Sequence, residues 1–142
     1  MLCCAIADVA TKVIYLFSKL VFWEERERDM KTVESITTAE LNIMSEKMSE
    51  PLVKGVVDVE RRVLVVDAGL HSDEEIFLLG QGSLQADLWG INLWPEFFGT
   101  DAFVEFDSMI NIRPSQNNRS RSVEDPAIRQ LILEIVAGKV DG

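Results

Sequence analysis

Two cysteines, one histidine and four prolines are all that this chain of 142 residues holds of those types. The cysteines, Cys3 and Cys4, are neighbours, and adjacent cysteines rarely bridge to each other. With no third thiol to pair with, a disulfide framework and a cysteine-based zinc site are excluded. His71 stands alone, so a histidine-rich metal centre would need several copies of the chain. Together these shortages favour a reducing, cytoplasmic setting. Positive charge is short as well: 14 Lys and Arg against 24 Asp and Glu give a net charge of -10. An acidic chain repels phosphate backbones, so no nucleic-acid partner is expected. Long apolar runs are missing too. Asp8, Lys12 and Lys19 interrupt the apolar stretch from Leu2 to Trp23, and no uninterrupted run reaches the roughly 20 residues of a membrane-spanning helix. The glycine-rich phosphate loop, the dinucleotide fingerprint, the nucleophile elbow and a Cys/His nucleophile pair are all absent. No cofactor is therefore expected.

What remains is the composition of one ordinary domain, 47% hydrophobic and 27% charged, able to build a core and not disordered by composition. Residues 1–29 read as an extension, with the apolar stretch followed by the charged Glu24–Asp29. Three readings compete for it: translation beginning at Met30, an amphipathic helix packed on the domain or a partner, and association with a membrane surface. Residues 30–142 read as a single domain.

Within that domain Thr37 and Glu40 have capping-box spacing, and Leu41, Met44 and Met48 continue a helical stripe that stops before Pro51. The β-branched runs Leu52–Val59 and Val63–Ala68 flank Glu60-Arg61-Arg62 as a hairpin. Ser72 with Glu75 predicts a capped short helix, stopped by Gly80-Gln81-Gly82. Leu84–Trp94 and Phe103–Arg113 are the next predicted strands. Asp125 followed by Pro126 starts a last helix whose apolar face is Ile128, Leu131, Ile132, Ile135 and Val136. The order predicts an α+β fold, a mostly antiparallel four-stranded sheet with helices packed on one face.

Three polar constellations can carry chemistry. His71, Asp73, Glu74 and Glu75 could hold a divalent cation or share a proton, although acids at a helix start are explained as well by the macrodipole. Asp58, Asp67, Asp87, Asn92, Glu105, Asp107 and Asn111 are candidates to share a polar sheet face. Paired carboxylates there serve acid–base work or hold Mg²⁺, and a solvated face would be polar in any case. Arg113, Asn117, Asn118, Arg119, Ser120 and Arg121 form a loop suited to an anion, or to internal salt bridges with Glu105 and Asp107. Trp94-Pro95-Glu96-Phe97-Phe98 is too apolar for an exposed loop; it folds back over the sheet or, the favoured reading, meets another subunit in a homodimer.

The strings L-H-S-D-E-E from Leu70, D-L-W-G-I-N from Asp87 and F-D-S-M-I-N-I-R-P-S-Q-N-N-R-S-R from Phe106 resemble a small prokaryotic family of uncharacterised domains. These are about a hundred residues long, an ordinary domain size. The similarity runs from Val33 to Val140. It implies an α+β fold and no activity. It also implies an acid just before the Leu-His pair where this chain has Gly69, so a metal site around His71 would lack one ligand. The extension at residues 1–29 departs from the family.

The expectation that follows is a small binding or interaction module. Its Arg113–Arg121 loop would receive a small anionic ligand or a protein partner. The rival is a divalent-metal hydrolase acting on a phosphate-containing substrate with His71, Asp73, Glu105 and Asp107. That rival requires His71 and the two carboxylates to converge within hydrogen-bond or coordination reach in one concave pocket.

Overall fold

The computed structural model describes residues 2–142 and, within the first helix, the side chains of residues 9, 11–22 and 24. The side chains of Cys3, Cys4 and Asp8 lie outside the described residues. Helix α1 (Leu2–Asp29) is continuous, and its described apolar side chains, Val9, Val13, Ile14, Leu16, Phe17 and Leu20 among them, are exposed. Among the described residues no helix is long and apolar enough to cross a membrane.

The rest is built on strands β1 (Lys31–Thr32), β2 (Ile36–Thr37), β3 (Val53–Asp58), β4 (Val63–Val66), β5 (Leu88–Leu93), β6 (Val104–Glu105) and β7 (Val140–Asp141), with helices α2 (Thr38–Ser45), α3 (His71–Gly80) and α4 (Pro126–Ala137). Five strands form one antiparallel sheet in the order β1-β4-β3-β5-β6, and β2 and β7 make a separate parallel pair. The sheet has five strands rather than four because Lys31–Thr32, too short to show periodicity, pairs with Val65 and Val66 at the edge.

The strand periodicity divides the apolar residues between the two faces. Val53, Val57, Leu64, Val66, Ile91 and Leu93 pack with Leu41 of α2 and with Ile132, Ile135 and Val136 of α4. Val56, Val65 and Leu88 pack on the other side with Leu78 of α3, Met30 and Ala68. Helices thus cover both faces, not one. That is why β3 and β5 read as nearly unbroken apolar runs instead of alternating ones.

Local chemistry sets most element boundaries. The Thr37–Glu40 capping box forms: the Glu40 N–H donates to Thr37 Oγ1 at 3.2 Å, and the Thr37 N–H donates to Glu40 Oε2 at 2.9 Å. Asp125 Oδ1 accepts the Ala127 N–H at 2.8 Å ahead of α4. The β3–β4 turn is capped by Asp58 Oδ1, which accepts the N–H groups of Glu60 and Arg61. Helix α3 departs from expectation. It begins at His71 with Leu70 at the N-cap and no side-chain cap, so Ser72 does not cap it. Burial of His71 against β5 draws the helix start inward and turns Asp73 and Glu74 into the protein.

The predicted strand Phe103–Arg113 is the main correction. Only Val104 and Glu105 pair with β5; Met109–Asn111 and Pro114–Gln116 are single 3₁₀ turns. Beyond β6 the free edge of β5 is met by a side chain instead of a strand. The Asn111 carboxamide accepts the Gly90 N–H at 2.8 Å and donates to the Gly90 carbonyl at 2.9 Å. An amide side chain has the same donor and acceptor pair as a peptide group, so one asparagine replaces a strand partner. Close approach makes this possible: a Cβ on Gly90 would lie 2.5 Å from Ser108 Oγ.

The Trp94–Phe98 segment folds back on its own domain. Phe98 meets Phe103 edge-on at 5.2 Å, Trp94 and Phe97 are 6.2 Å apart, and Pro95 is buried. Phe97 and Phe98 keep part of their rings exposed.

Candidate functional site

The arginine- and asparagine-rich loop is largely occupied by its own contacts. Arg113 donates from its two terminal nitrogens to the carbonyls of Gln85 and Leu88, and its guanidinium lies 4.1 Å from the centre of the Trp89 ring. Burial lowers its pKa, opposed by the charges of Glu75 and Asp87. Asn118 is buried and donates to the carbonyls of Asn111 and Ser122, each at 2.7 Å, while its Oδ1 accepts the Glu124 N–H at 2.8 Å. Asn117 supplies a left-handed turn residue at φ 59°. The Arg119 and Ser120 N–H groups would be the natural cradle for an anion, and they already hold one: both donate to Glu124 Oε1, at 3.1 and 3.0 Å. The Ser120 hydrogen bond, reinforced by the Arg119 N–H, keeps the Glu124 carboxyl below its ordinary value.

Arg121 is the exception, because it reaches a cavity. Its Nε is 2.6 Å from Asp107 Oδ1 and its Nη2 donates to Oδ2 at 3.2 Å, a side-on, two-point ion pair. This pair stands at one rim of a cavity of about 550 Å³ over the α3 side of the sheet. His71, Ser72, Lys54, Asn92, Trp94, Glu105 and Asp107 also line it. His71 and the two carboxylates line the same cavity, but among the described residues no hydrogen bond or ion pair joins His71 to either of them.

The connections are specific. Asn92, 4% exposed, donates from Nδ2 to Glu105 Oε2 at 2.8 Å and to the Asp107 carbonyl at 3.3 Å. Trp94 Nε1 donates to the same Glu105 oxygen at 3.2 Å. His71 Nε2 lies 2.7 Å from the Ile91 carbonyl, which only accepts, so Nε2 carries the proton and Nδ1 the lone pair. Burial depresses the imidazole pKa to about 4, against the Ile91 carbonyl and with help from the Lys54 charge. At neutral pH His71 is an uncharged imidazole, a poor match to a general base, which works best with a pKa near the working pH.

Asp73 and Glu74 do not line this cavity. Glu74 is fully buried; its Oε1 accepts the Ala68 N–H at 3.2 Å, and its Oε2 has no hydrogen-bond partner among the described residues. Burial raises its pKa well above the ordinary carboxylate value, opposed by the Ala68 N–H and the Lys54 charge. Asp58 caps its turn and Asp67 pairs with Lys47 at 3.0 Å, so the polar-face carboxylates do not gather as one set. Among the described residues no three His, Cys, Asp or Glu side chains cluster in a way that could hold a metal ion.

Lys54 was missed in the sequence. It is half-buried in the central strand β3, lines the cavity, and makes no hydrogen bond or ion pair among the described residues. The signal was available: a lysine set between Val53 and Gly55 in an otherwise apolar run is anomalous, since a half-buried charge is costly unless paired. Trp94 was read as a packing residue, and its indole N–H turned toward Glu105 was not foreseen.

No curated protein and no solved structure is found to match this chain. One family model does match, over residues 31–139, leaving α1 outside it and taking in every cavity residue named above. By that match the chain belongs to the family described as Protein of unknown function (DUF5674).

Proposed function

We propose that this protein is a small-molecule-binding module whose ligand sits in the cavity between α3 and the Glu105–Arg121 segment. Lys54 carries this reading. Folding half-buries an ammonium that makes no hydrogen bond or ion pair among the described residues, and a ligand group that meets it recovers the lost solvation. The other charged groups of the cavity support a prepared site, Glu105 being held by Asn92 and Trp94 and Asp107 by Arg121. The volume falls within the roughly 300–1,000 Å³ of small-molecule pockets. Of the loop expected to bind an anion, Arg121 alone contributes to it.

The test is thermal shift of the full chain against a library of anions, zwitterions, amines and sugars, repeated with Lys54→Met. A ligand at about 100 times its Kd stabilises by about 2.7 kcal/mol. The expected result is at least one class that shifts the wild type and fails to shift the variant. No shift with any class would refute the reading.

The presence of His71, Glu105 and Asp107 around one cavity supports a second reading, hydrolysis of a bound ligand. It fits less well, because an imidazole with a pKa near 4 is a weak base at neutral pH. Turnover of a phosphate ester that stops in His71→Gln, with divalent metal in the assay, would establish it over simple binding.

A further inference from the structure

The register of the sheet lays three polar residues in a row across the cavity floor. Lys54 on β3 stands opposite Asn92 on β5, and Asn92 stands opposite Glu105 on β6. With neighbouring strands about 4.8 Å apart, the backbones at Lys54 and Glu105 are separated by about 9–10 Å. A cation and an anion thus flank the same space, with a neutral amide between them. Among the described residues neither makes an ion pair; Glu50 also lines the cavity, and the Lys54 charge reaches the buried Glu74. Arg121 is taken side-on by Asp107, and His71 is uncharged.

The Glu105 end is the better defined. Its Oε2 takes the Asn92 and Trp94 donors, which orients the carboxylate and leaves Oε1 without a hydrogen bond among the described residues. A carboxylate fixed beside an indole suits a protonated amine, through a charge-assisted hydrogen bond and attraction to the ring. At the other end the Lys54 ammonium suits a carboxylate. A simple anion would satisfy Lys54 but face Glu105 and Asp107, and a simple amine would leave Lys54 unpaired. A molecule with both charges answers both. Leu70, Met109 and Ile110 also line the cavity and give it apolar surface for a hydrocarbon side chain.

We infer that the cavity takes a free α-amino acid with an apolar side chain, its carboxylate on Lys54 and its ammonium on Glu105 beside Trp94. This rests on the binding reading above and gives that site its ligand class.

Isothermal titration of the full chain decides it, with L-leucine, L-methionine and L-phenylalanine as zwitterions. 3-Methylbutylamine and 4-methylpentanoate are leucine without its carboxylate and without its amine. At least one amino acid should bind, and each truncated leucine should bind about 10–100-fold more weakly than leucine, the range for losing a charged hydrogen bond. Lys54→Met should abolish the advantage of leucine over the amine, and Glu105→Gln its advantage over the acid. If either variant fails to fold by circular dichroism, the wild-type comparison still decides. A truncated compound binding as tightly as leucine overturns the inference. So does a failure of all three amino acids while another class shifts the protein in a Lys54-dependent way, and that outcome leaves the binding reading standing. Failure of every class in the library removes both.

Discussion

The two faces of the sheet are built from the same strands and end in opposite states. On the α2/α4 side a continuous apolar cluster spans the strands, and α2 and α4 close over it. On the α3 side an apolar patch around Val56, Val65 and Leu88 gives way, toward one end of β3 and β5, to Lys54 and Asn92. One helix and a segment of 3₁₀ turns cover that side incompletely, and the space left over is the cavity. The lesson is that a sheet buried on both faces need not use both alike: one stabilises, and the other exchanges part of its packing for charged groups held in position.

The sharpest way to break this comparison is to open the sealed face. Ile132→Ala, at a fully buried position of α4, should cost about 2–5 kcal/mol in a denaturant titration. Met109→Ala on the cavity wall, 66% exposed, should fall within about 0.5 kcal/mol of wild type. Equal losses would mean that the two faces share one packing role.

Acid should strike the cavity side selectively. The folded-state pKa of His71 lies below its unfolded value, so its contribution is present above pH 6.5 and lost as the pH falls through about 4. The full loss is about 3 kcal/mol, seen as a falling denaturation midpoint that flattens in His71→Gln. Glu74 works in the opposite sense: its folded pKa is raised, so its contribution is present below pH 4.5 and declines as the pH rises from there. Measuring His71→Gln in a Glu74→Gln background separates the two.

Arg113→Ala should cost about 1.5–3 kcal/mol, because it strands the carbonyls of Gln85 and Leu88 and uncovers Trp89. Arg119→Ala should change stability by less than about 0.5 kcal/mol, since its backbone N–H, retained in alanine, makes the bond to Glu124. Similar values for the two arginines in parallel melts would show that the loop is not anchored through Arg113.

Much of the sealed face was legible in the sequence because its signals are local. Thr37 with Glu40, Asp125 with Pro126 and the stripe from Ile128 to Val136 each specify a helix within a few residues, and the β3–β4 hairpin is continuous in sequence. The cavity was legible only as a list of polar residues. Phe106–Arg113 alternates like a strand, yet Asn111 turns its amide onto Gly90, a contact between residues 21 positions apart. Nothing local to Asn111 announces that β5 has a free edge there. In the same way Arg113 to Arg121 read as a loop for an anion or for internal salt bridges, because the sequence shows charges and not partners; the partners are carbonyls, Glu124 and, for Arg121, Asp107.

By itself the sequence determined the α+β class and the capping and hairpin signals that frame the domain. These follow from periodicity, capping and composition, which act over a few residues. Only the tertiary structure decided that both sheet faces are covered, that the arginine loop is filled from within, and that Lys54, Asn92 and Glu105 stand in one row. Those facts depend on strand order and register, and register is set by long-range packing that the order of residues along the chain does not display.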